Sequence, residues 1–236
     1  LMSRGLGDVY KRQPYESNKL TERQKIIKSR CEESNLPIIY LNLVGGQDDL
    51  VFDGGSFVYD NSGSIVCQFP QFLEKTEQVI FEQRKNVWFP LPELMAEIGS
   101  RESQDYKAVV LGLRDYVLKS NFHKVVIGLS GGIDSALVAV MAVDALGADN
   151  VVCLALPSKF NSSASLDDAK QLSENLGITL ETIGIQEIID KVDQRLAPLF
   201  QGKKRDVTEE NIQSRLRAVL FCLLYTSDAA DEVAGV

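Results

Sequence analysis

A short turn rich in glycine and serine carries the residue types best suited to chemistry in this chain. Residues 130–135 read Ser-Gly-Gly-Ile-Asp-Ser and lie between an apolar run, 125–129, and a helical pattern that opens at Ala136. Glycines let the backbone turn sharply and bring its N–H groups close to an anion, and the dipole of the following helix adds positive potential. Asp134 offers a metal ligand and Ser135 a hydroxyl. The turn therefore predicts a phosphate site, and with it a protein that handles nucleotides.

The turn differs from two familiar phosphate-binding loops. It lacks the Gly-Lys-Ser/Thr ending of a Walker A loop, so no lysine reaches the terminal phosphates, and it lacks the Gly-x-Gly-x-x-Gly spacing of dinucleotide-binding turns. The structural alternative is an ordinary connection between a strand and a helix. Both glycines, both serines and the aspartate fall together at a helix start, which favours the phosphate site.

Segments of strand and helix type alternate around the turn. The predicted strands are 125–129, 151–156 and 178–183, and the predicted helices are 136–146 and 165–176. This alternation is typical of a parallel sheet with helices on both faces. Right-handed connections would place the turn at the carboxyl edge of that sheet, where such folds bind ligands. An amphipathic helix, 106–119, precedes the first of these strands.

The first half of the chain predicts a different set of elements. They are a surface helix at 17–31, a strand at 38–44, a loop at 45–49, and a hairpin of strands 55–59 and 64–69. The hairpin turn, at 60–63, consists of residues that tolerate positive φ. Residues 88–92 read Trp-Phe-Pro-Leu-Pro, and their prolines and changed composition predict a linker between two domains.

Both ends of the chain look like sequencing adaptor rather than protein. Residues 8–13 can be encoded by a DNA string whose reverse complement, read one frame over, encodes residues 222–227. That string matches a transposon end used in sequencing libraries. We therefore expect residues 1–13 and 222–236 to be non-native, and the insert between them to be truncated on both sides.

Composition indicates a globular chain without a broad surface for nucleic acid. The 236 residues are 44% hydrophobic, and 25 basic against 33 acidic side chains give a net charge of −8. No apolar run approaches the roughly 20 residues of a membrane span. Cys31, Cys67 and Cys153 show no paired spacing, which favours reduced thiols over disulfides or a zinc site. We therefore expect a cytoplasmic protein that binds neither nucleic acid nor membrane.

Three strings in a fixed order carry a family resemblance. Residues 45–54 read Gly-Gly-Gln-Asp-Asp-Leu-Val-Phe-Asp-Gly, and residues 206–217 read Asp-Val-Thr-Glu-Glu-Asn-Ile-Gln-Ser-Arg-Leu-Arg. Between them, the turn at 130–135 resembles the pyrophosphate loop of the N-type ATP pyrophosphatases. Together the three strings resemble the glutamine-dependent NAD synthetases, and the resemblance covers essentially all of residues 14–220. In that family a nitrilase-like glutaminase domain precedes an ATP pyrophosphatase domain.

The resemblance implies an α/β protein of two parts and a reaction. Residues 14–93 would be the C-terminal part of a nitrilase-like α-β-β-α domain. Residues 94–221 would be the N-terminal part of a doubly wound parallel-sheet domain of the adenine nucleotide alpha hydrolase type. The family adenylates deamido-NAD with ATP and Mg²⁺, and ammonia released from glutamine then displaces AMP to give NAD. The parent protein would thus be a ligase, and a homo-oligomer.

The resemblance also implies which residues bind the substrates. The ATP-binding residues would be Gly128, Leu129, Ser130, Gly131, Gly132, Ile133, Asp134 and Ser135, with Asp134 also holding the metal ion. Asn211 and Arg215 would contact deamido-NAD, and Lys19 would hold the carboxylate of glutamine. A surface arginine paired with a glutamate, and a solvated helix lysine, are the structural alternatives for Arg215 and Lys19. Residues 157–160 resemble the loop that closes over adenosine, with a plain strand-end loop as the alternative.

The glutaminase nucleophile of the family is not expected in this chain. The family's cysteine, glutamate and lysine would lie upstream of Pro14, and neither Cys31 nor Cys67 has the family's Cys-Glu-Asp context. Residues 14–16 resemble the end of the family's Asn-Ala-Ser-Pro-Phe/Tyr segment, with Gln13 in place of the serine. We therefore expect the 236-residue chain alone to be inactive.

Two other functions remain open from the sequence. Another pyrophosphate-loop amidotransferase, or a tRNA-thiolating enzyme, would also keep the turn, although residues 208–217 and the acidic charge argue against both. A non-catalytic nucleotide-binding or regulatory module would keep the turn without the chemistry.

Overall fold

The chain forms two compact units, Leu1–Asn121 and Phe122–Val236. The computed structural model describes residues 13–92, 94–159, 163–199 and 207–226. Within those ranges, no helix is both long and apolar enough to cross a membrane. The predicted boundary after residue 93 concerns the domains of the resembled family and stays a prediction, and so does the nitrilase-like character of the first part.

Two helices and seven short strands make up the described part of the first unit. In chain order they are α1 (Lys19–Ser34), β1 (Ile38–Tyr40), β2 (Val44–Gln47), β3 (Leu50–Asp53), β4 (Phe57–Tyr59), β5 (Ile65–Gln68), β6 (Phe81–Arg84), β7 (Val87–Pro90) and α2 (Arg101–Lys119). An antiparallel sheet has the order β1-β4-β5, and β2–β3 and β6–β7 are antiparallel pairs. Leu20 and Cys31 of α1 pack with Phe57 and Tyr59 of β4, which fixes the helix on the sheet.

The predicted hairpin is confirmed as β4 and β5. The Asp60 carboxylate accepts the amides of Ser62 and Ser64, both at 2.9 Å, and so closes the turn. Gly63 has φ of 76°, a conformation that glycine adopts without steric cost. The turn residues alone were enough to predict this hairpin, because its hydrogen bonds are local.

The prediction of a strand at 38–44 followed by a loop at 45–49 is partly wrong. β1 ends at Tyr40, and Val44–Gln47 form a second strand that pairs with Leu50–Asp53. Only Asp48 and Asp49 remain as the turn, and Asp48 has φ of 50°, as a two-residue hairpin turn requires.

Helix α2 explains why glycines lie in β2. A Cβ added to Gly46 would lie 3.1 Å from Asp115 Cβ and 3.2 Å from Gly112 Cα, both on α2. The Asp115 carboxylate accepts the Gly46 amide at 2.7 Å, and Lys119 Nζ donates to the Gly46 carbonyl at 2.5 Å. Burial raises the pKa of Asp115, but the hydrogen bonds from Gly46 and Lys119 outweigh it and hold that pKa below its usual value. Glycine here permits close approach of strand and helix.

Part of the predicted linker is a strand. Trp88, Phe89 and Pro90 lie in β7, which pairs with β6, so these residues are not a free connection. Pro90 is tolerated here because β6 and β7 form a two-stranded sheet, in which β7 is an edge strand.

The second unit contains the predicted parallel sheet. Its elements are β8 (Val125–Gly128), α3 (Ile133–Leu146), β9 (Val151–Ala155), α4 (Ser163–Leu176), β10 (Thr179–Thr182), α5 (Gln186–Leu196) and α6 (Val207–Thr226). β8 and β10 both pair in parallel with the central strand β9. Ala139, Ala142 and Ala145 form the buried face of α3. The α/β class and the alternation of elements are confirmed.

Several boundaries in this unit differ from the expectations by one or two residues, and two differ by more. α3 begins at Ile133 rather than Ala136, so half of the glycine-rich turn is the first turn of the helix. α6 continues to Thr226, beyond the expected end of the native insert at residue 221. The adaptor assignment stays a prediction, and residues 1–12 and 227–236 lie outside the described residues.

Replacement of Gly46 by alanine is expected to destabilise the first unit. The added methyl group meets the α2 backbone at Gly112, and such overpacking costs about 1–3 kcal/mol of unfolding free energy. Urea unfolding followed by tryptophan fluorescence measures the change, because Trp88 belongs to this unit.

Gly184→Ala provides the matched control. A Cβ at Gly184 meets nothing within 4 Å, so this change is expected to be neutral or to stabilise by about 0.4–1 kcal/mol. Circular dichroism, to which the helices of both units contribute, includes the unfolding of the second unit, where Gly184 lies. Equal losses for the two variants would contradict the close-packing role of Gly46.

Candidate functional site

The glycine-rich turn lies where β8 ends and α3 begins. The Leu129 amide donates to the Leu154 carbonyl at 2.8 Å, which extends the parallel pairing one residue beyond β8. The first intrahelical bond joins the Ala136 amide to the Gly132 carbonyl at 3.1 Å. The amides of Ile133, Asp134 and Ser135 therefore belong to the first helical turn, where backbone donors have no partner within the helix. They form a site suited to an anion.

Close backbone approach requires glycine at position 131. Gly131 has φ of 80°, and a Cβ there would lie 2.1 Å from the carbonyl oxygen of Ser165 on α4. Gly132 has φ of −88° and a Cβ there would meet only Ser130 Oγ at 3.4 Å, so the second glycine is far less constrained. The sequence analysis gave both glycines the same role, a sharp turn of the backbone. The structure shows that close backbone packing requires glycine only at position 131.

Two serine hydroxyls hold the turn in shape. Ser135 Oγ donates to the Gly132 carbonyl at 2.9 Å and accepts the Ser130 amide at 3.2 Å. The hydroxyls of Ser130 and Ser135 lie 3.0 Å apart, and Ser130 Oγ accepts the Gly132 amide at 3.3 Å. Since Ser135 Oγ gives its own hydrogen to Gly132, the hydrogen between the two hydroxyls comes from Ser130. The turn is thus braced by its own side chains.

A cavity of about 260 Å³ opens beside the turn, beyond the carboxyl ends of β8 and β9. The lining residues come from the two strand ends, the start of α4 and the inner face of α6, namely Gly128, Leu129, Ser130, Leu154, Ala155, Leu156, Pro157, Ser165, Leu166, Arg217 and Phe221. This is the edge at which the alternation of strands and helices predicted a ligand. A side chain at position 128 would collide with Phe221, because a Cβ there would lie 2.8 Å from the Phe221 ring.

One face of α6 contributes residues that the sequence reasoning missed. Gln213, Arg217 and Phe221 are four residues apart and therefore share a face of the helix. Gln213 is buried and accepts the Ser158 hydroxyl at 3.1 Å. The Arg217 guanidinium donates to the Leu156 carbonyl at 3.4 Å, at the end of β9. The four-residue spacing was available in the sequence, but it did not say which face meets the sheet.

Asn211 and Arg215 lie on a different face of α6. Both are exposed, and neither lines the cavity. Their assignment to deamido-NAD stays a prediction, as does the structural alternative for Arg215. Of the motif that predicted them, Asp206 lies outside the described residues.

Asp134 presents its carboxylate at the start of α3, exposed to solvent. No group of three or more potential metal ligands among His, Cys, Asp and Glu occurs in the described parts of the chain. The role of Asp134 as a magnesium ligand therefore stays a prediction.

The loop after β9 is ordered by α5. The Lys159 amide donates to the Gln186 side chain at 2.9 Å, and the Ile185 amide donates to the Pro157 carbonyl at 3.0 Å. Pro157 lines the cavity, while Phe160 lies outside the described residues, so the assignment of residues 157–160 to adenosine stays a prediction.

Lys19 begins α1 in the first unit. Its ammonium lies 3.2 Å from the Glu22 carboxylate and 3.4 Å from that of Glu16. The hydrogen bond to Glu22, followed by the charge of Glu16, raises the pKa of Lys19 above its usual value. The ammonium is thus charged, the side chain is partly exposed, and its role with glutamine stays a prediction.

The described cysteines are free thiols. Cys31, Cys67 and Cys153 are buried and Cys222 is exposed. Burial raises the pKa of the Cys31 thiol, and that of Cys153 to about 11, which keeps both neutral at physiological pH. The expectation that neither Cys31 nor Cys67 is a nucleophile stays a prediction.

The fold and the site together define a class of protein. A parallel sheet with an anion-binding turn and a cavity at its carboxyl edge is a nucleotide-binding α/β unit. The NAD synthase family model matches residues 105–234, which is more than half of the 236 residues. The chain belongs to the NAD synthase family.

Curated relatives agree with this assignment. The chain is 48% identical over 230 residues to a glutamine-dependent NAD(+) synthetase of Rhodobacter capsulatus, covering 94% of this chain and 42% of the relative. It is 42% identical over 211 residues to the synthetase of the same name from Xylella fastidiosa strain Temecula1, covering 89% of this chain and 39% of the relative. The chain thus spans about two fifths of the length of these relatives.

A solved structure supports the fold over most of the chain. The glutamine-dependent NAD+ synthetase from Acinetobacter baumannii, in complex with adenosine diphosphate, superimposes with a TM-score of 0.85 at 37% identity. The match covers 91% of this chain and 40% of that one.

Substitution of the two turn glycines is expected to have unequal effects. Gly131→Ala introduces a left-handed non-glycine residue and a collision with the Ser165 backbone, which we expect to cost about 1–3 kcal/mol or more of unfolding free energy. Gly132→Ala is the control and is expected to cost only a few tenths to about 1 kcal/mol, since Gly132 caps α3 in an extended conformation. Thermal unfolding followed by circular dichroism compares them. Equal Tm values would show that the observed approach to Ser165 does not constrain the turn.

Thiol reactivity gives a second test of the site description. At pH 8, a disulfide reagent is expected to label Cys222 rapidly and the three buried cysteines slowly, because burial limits access and keeps the Cys153 thiol protonated below about pH 11. Unfolding in guanidinium should release all four thiols. Rapid labelling of more than one thiol in the native protein would contradict the burial described.

Proposed function

We propose that the complete protein is a glutamine-dependent NAD(+) synthetase. It amidates deamido-NAD to NAD with ammonia from glutamine and cleaves ATP to AMP and pyrophosphate. The observation that carries this proposal is the braced turn at 130–135, which adjoins a cavity of about 260 Å³ in a chain of the NAD synthase family. The names of the relatives, and the adenosine diphosphate in the Acinetobacter baumannii structure, support it.

The turn suits adenylation because a carboxylate is a poor electrophile until its oxygen becomes a good leaving group. The amides at the start of α3 are fixed before the reaction, so they stabilise developing pyrophosphate charge without reorganisation. Ser130 and Ser135 hold those amides in place through their mutual hydrogen bond. We assign ATP to Gly128 through Ser135, with the adenosine side of the cavity formed by the end of β9 and by Phe221.

Asp134 fits a magnesium ion in its donor chemistry and position. Mg²⁺ is usually held by one or two carboxylates together with substrate phosphates and waters, and Asp134 is an exposed carboxylate beside the proposed phosphate site. The bound ion would neutralise phosphate charge. Arg217, which is anchored to the end of β9, adds a permanent positive charge to the cavity.

The remaining substrate residues are assigned by the family motif. Asn211 and Arg215 lie one helical turn apart on the exposed face of α6, where an amide and a guanidinium are available to deamido-NAD. Lys19 is assigned to the carboxylate of glutamine, within a first domain at 14–93 of nitrilase-like type. The second domain, 94–221, carries the synthetase chemistry.

The cellular setting follows from the substrates. ATP, glutamine and deamido-NAD are cytoplasmic metabolites, so we place the protein in the cytoplasm. The net charge of −8 disfavours a nucleic-acid partner. The complete protein is proposed to be a homo-oligomer.

Substrate-dependent release of pyrophosphate tests the proposed function. The complete protein should form NAD from deamido-NAD and ATP with either glutamine or ammonia, and should release pyrophosphate only when deamido-NAD is present. Asp134→Asn is expected to lower kcat by about 10²-fold or more, with a higher Mg²⁺ requirement, because it removes charge that stabilises the pyrophosphate. Asp149→Asn, at an exposed aspartate after α3, is the control and should leave kcat unchanged.

Other outcomes select the alternatives. Pyrophosphate release with another carboxylate, but not with deamido-NAD, would indicate a different pyrophosphate-loop amidotransferase. Nucleotide binding without pyrophosphate release from any such substrate would indicate a non-catalytic module.

A further inference from the structure

A buried arginine clamps the segment that leads into α1. Arg23 is 3% exposed, and its Nη2 donates to the carbonyls of Gln13 at 3.1 Å and Pro14 at 2.9 Å. Its Nη1 donates to the Asp53 carboxylate at 2.8 Å. The planar guanidinium therefore joins two consecutive backbone carbonyls to the end of β3 in a fixed geometry.

Asp53 is itself held on both sides. This carboxylate, 1% exposed, accepts Asn42 Nδ2 at 3.2 Å and Gln71 Nε2 at 3.0 Å. Asn42 Nδ2 also lies 3.4 Å from the Gln13 carbonyl. Desolvation makes a buried ion pair a weak source of stability, so a network of this kind is better explained by the geometry it enforces.

Two buried polar atoms of this network make no hydrogen bond within the described residues. Within the described ranges, Arg23 Nε and Asn42 Oδ1 are buried and have no hydrogen-bond partner. Buried polar atoms without partners are rare and call for a functional or structural reason. Both atoms belong to side chains that contact the backbone carbonyl of residue 13, which the serine expected at this position in the complete protein would supply as Gln13 does. The network is thus organised around the 13–14 backbone.

The same helix presents an accessible cation to the same segment. Lys19 precedes Arg23 by four residues, so both side chains lie on one face of α1. Tyr15 follows Pro14 in the segment that leads into α1. Its amide donates a hydrogen bond to the Val51 carbonyl at 2.6 Å, and its hydroxyl donates one to the Asp105 carboxylate at 2.6 Å. Burial, followed by the hydrogen bond to Asp105, raises the pKa of Tyr15 to about 12, so this anchor stays protonated.

We propose that Arg23 is a positioning residue for glutamine recognition. Arg23 holds the backbone at 13–14, which leads into α1, and so sets the position of the Lys19 ammonium, which receives the α-carboxylate of glutamine. This inference rests on the proposed glutamine-dependent function. It assigns to Arg23 no contact with the ATP or deamido-NAD site.

Steady-state kinetics of the complete protein with two nitrogen sources test this role. Arg23→Lys keeps the buried charge, but a single ammonium cannot bond Asp53 and both carbonyls in the guanidinium geometry. We expect the KM for glutamine to rise about tenfold or more, because the backbone at 13–14 and the start of α1 are misplaced. The rate of NAD formation from ammonia should stay within about twofold of that of the unaltered protein. Arg23→Met is expected to show a larger rise in the glutamine KM.

Arg30→Lys and Arg30→Met are the matched controls. Arg30 is on the same helix, is exposed, and pairs at the surface with Glu33 at 2.7 Å. Both controls should leave the glutamine KM and the ammonia-supported rate unchanged.

The outcomes separate this inference from the proposed function. An unchanged glutamine KM in Arg23→Lys, or an equal fall with glutamine and with ammonia in both Arg23 variants, would overturn the positioning role. If Arg23→Met fails to fold, the two nitrogen sources in Arg23→Lys decide. If the unaltered protein forms no NAD from either source, the proposed function itself fails; activity with ammonia alone removes only its glutamine-dependent part.

Discussion

The hydroxyl of Ser135 fixes the shape of the turn between β8 and α3. It hydrogen-bonds to the Gly132 carbonyl and to the Ser130 hydroxyl, and the neighbouring elements of the second unit pack against the turn in that conformation. Gly131 passes so close to α4 that no side chain fits between them. The end of β9 and the inner face of α6 complete the wall of the adjoining cavity. An anion site made of backbone amides has little strength unless those amides are immobile, because mobile donors must be reorganised at each binding event.

Local patterns were sufficient to predict much of this fold. The alternation of strands and helices, the hairpin at β4–β5 and the anion-binding turn depend on residues close in sequence, so periodicity and turn chemistry reveal them. The inner face of α6 could not be predicted in this way. Asn211 and Arg215 have the same spacing as Gln213 and Arg217, and only the position of the sheet decides which pair turns inward.

The first unit shows the same limit in another form. Gly45 and Gly46 carry a turn signal, yet they lie in β2 because α2 approaches that strand too closely for a larger residue. The buried contact between Arg23 and Asp53 spans 30 residues, and no periodicity within α1 announces it. Sequence indicated Lys19 as the basic residue of interest and passed over the arginine one turn later, because an arginine on a charged helix looks like a solvated one.

Exchange of modules between relatives is constrained by α2. The match to the NAD synthase family model begins at residue 105, within this helix. Asp115 and Lys119 of the same helix form hydrogen bonds with the backbone of Gly46 in β2. A recombination junction at the edge of the family model would join a helix from one parent to a glycine strand from another. A junction after Asn121 transfers helix and strand as a matched pair. The segment that must come from one parent in a functional chimera therefore does not end where the family match begins, at residue 105, but continues to the end of α2.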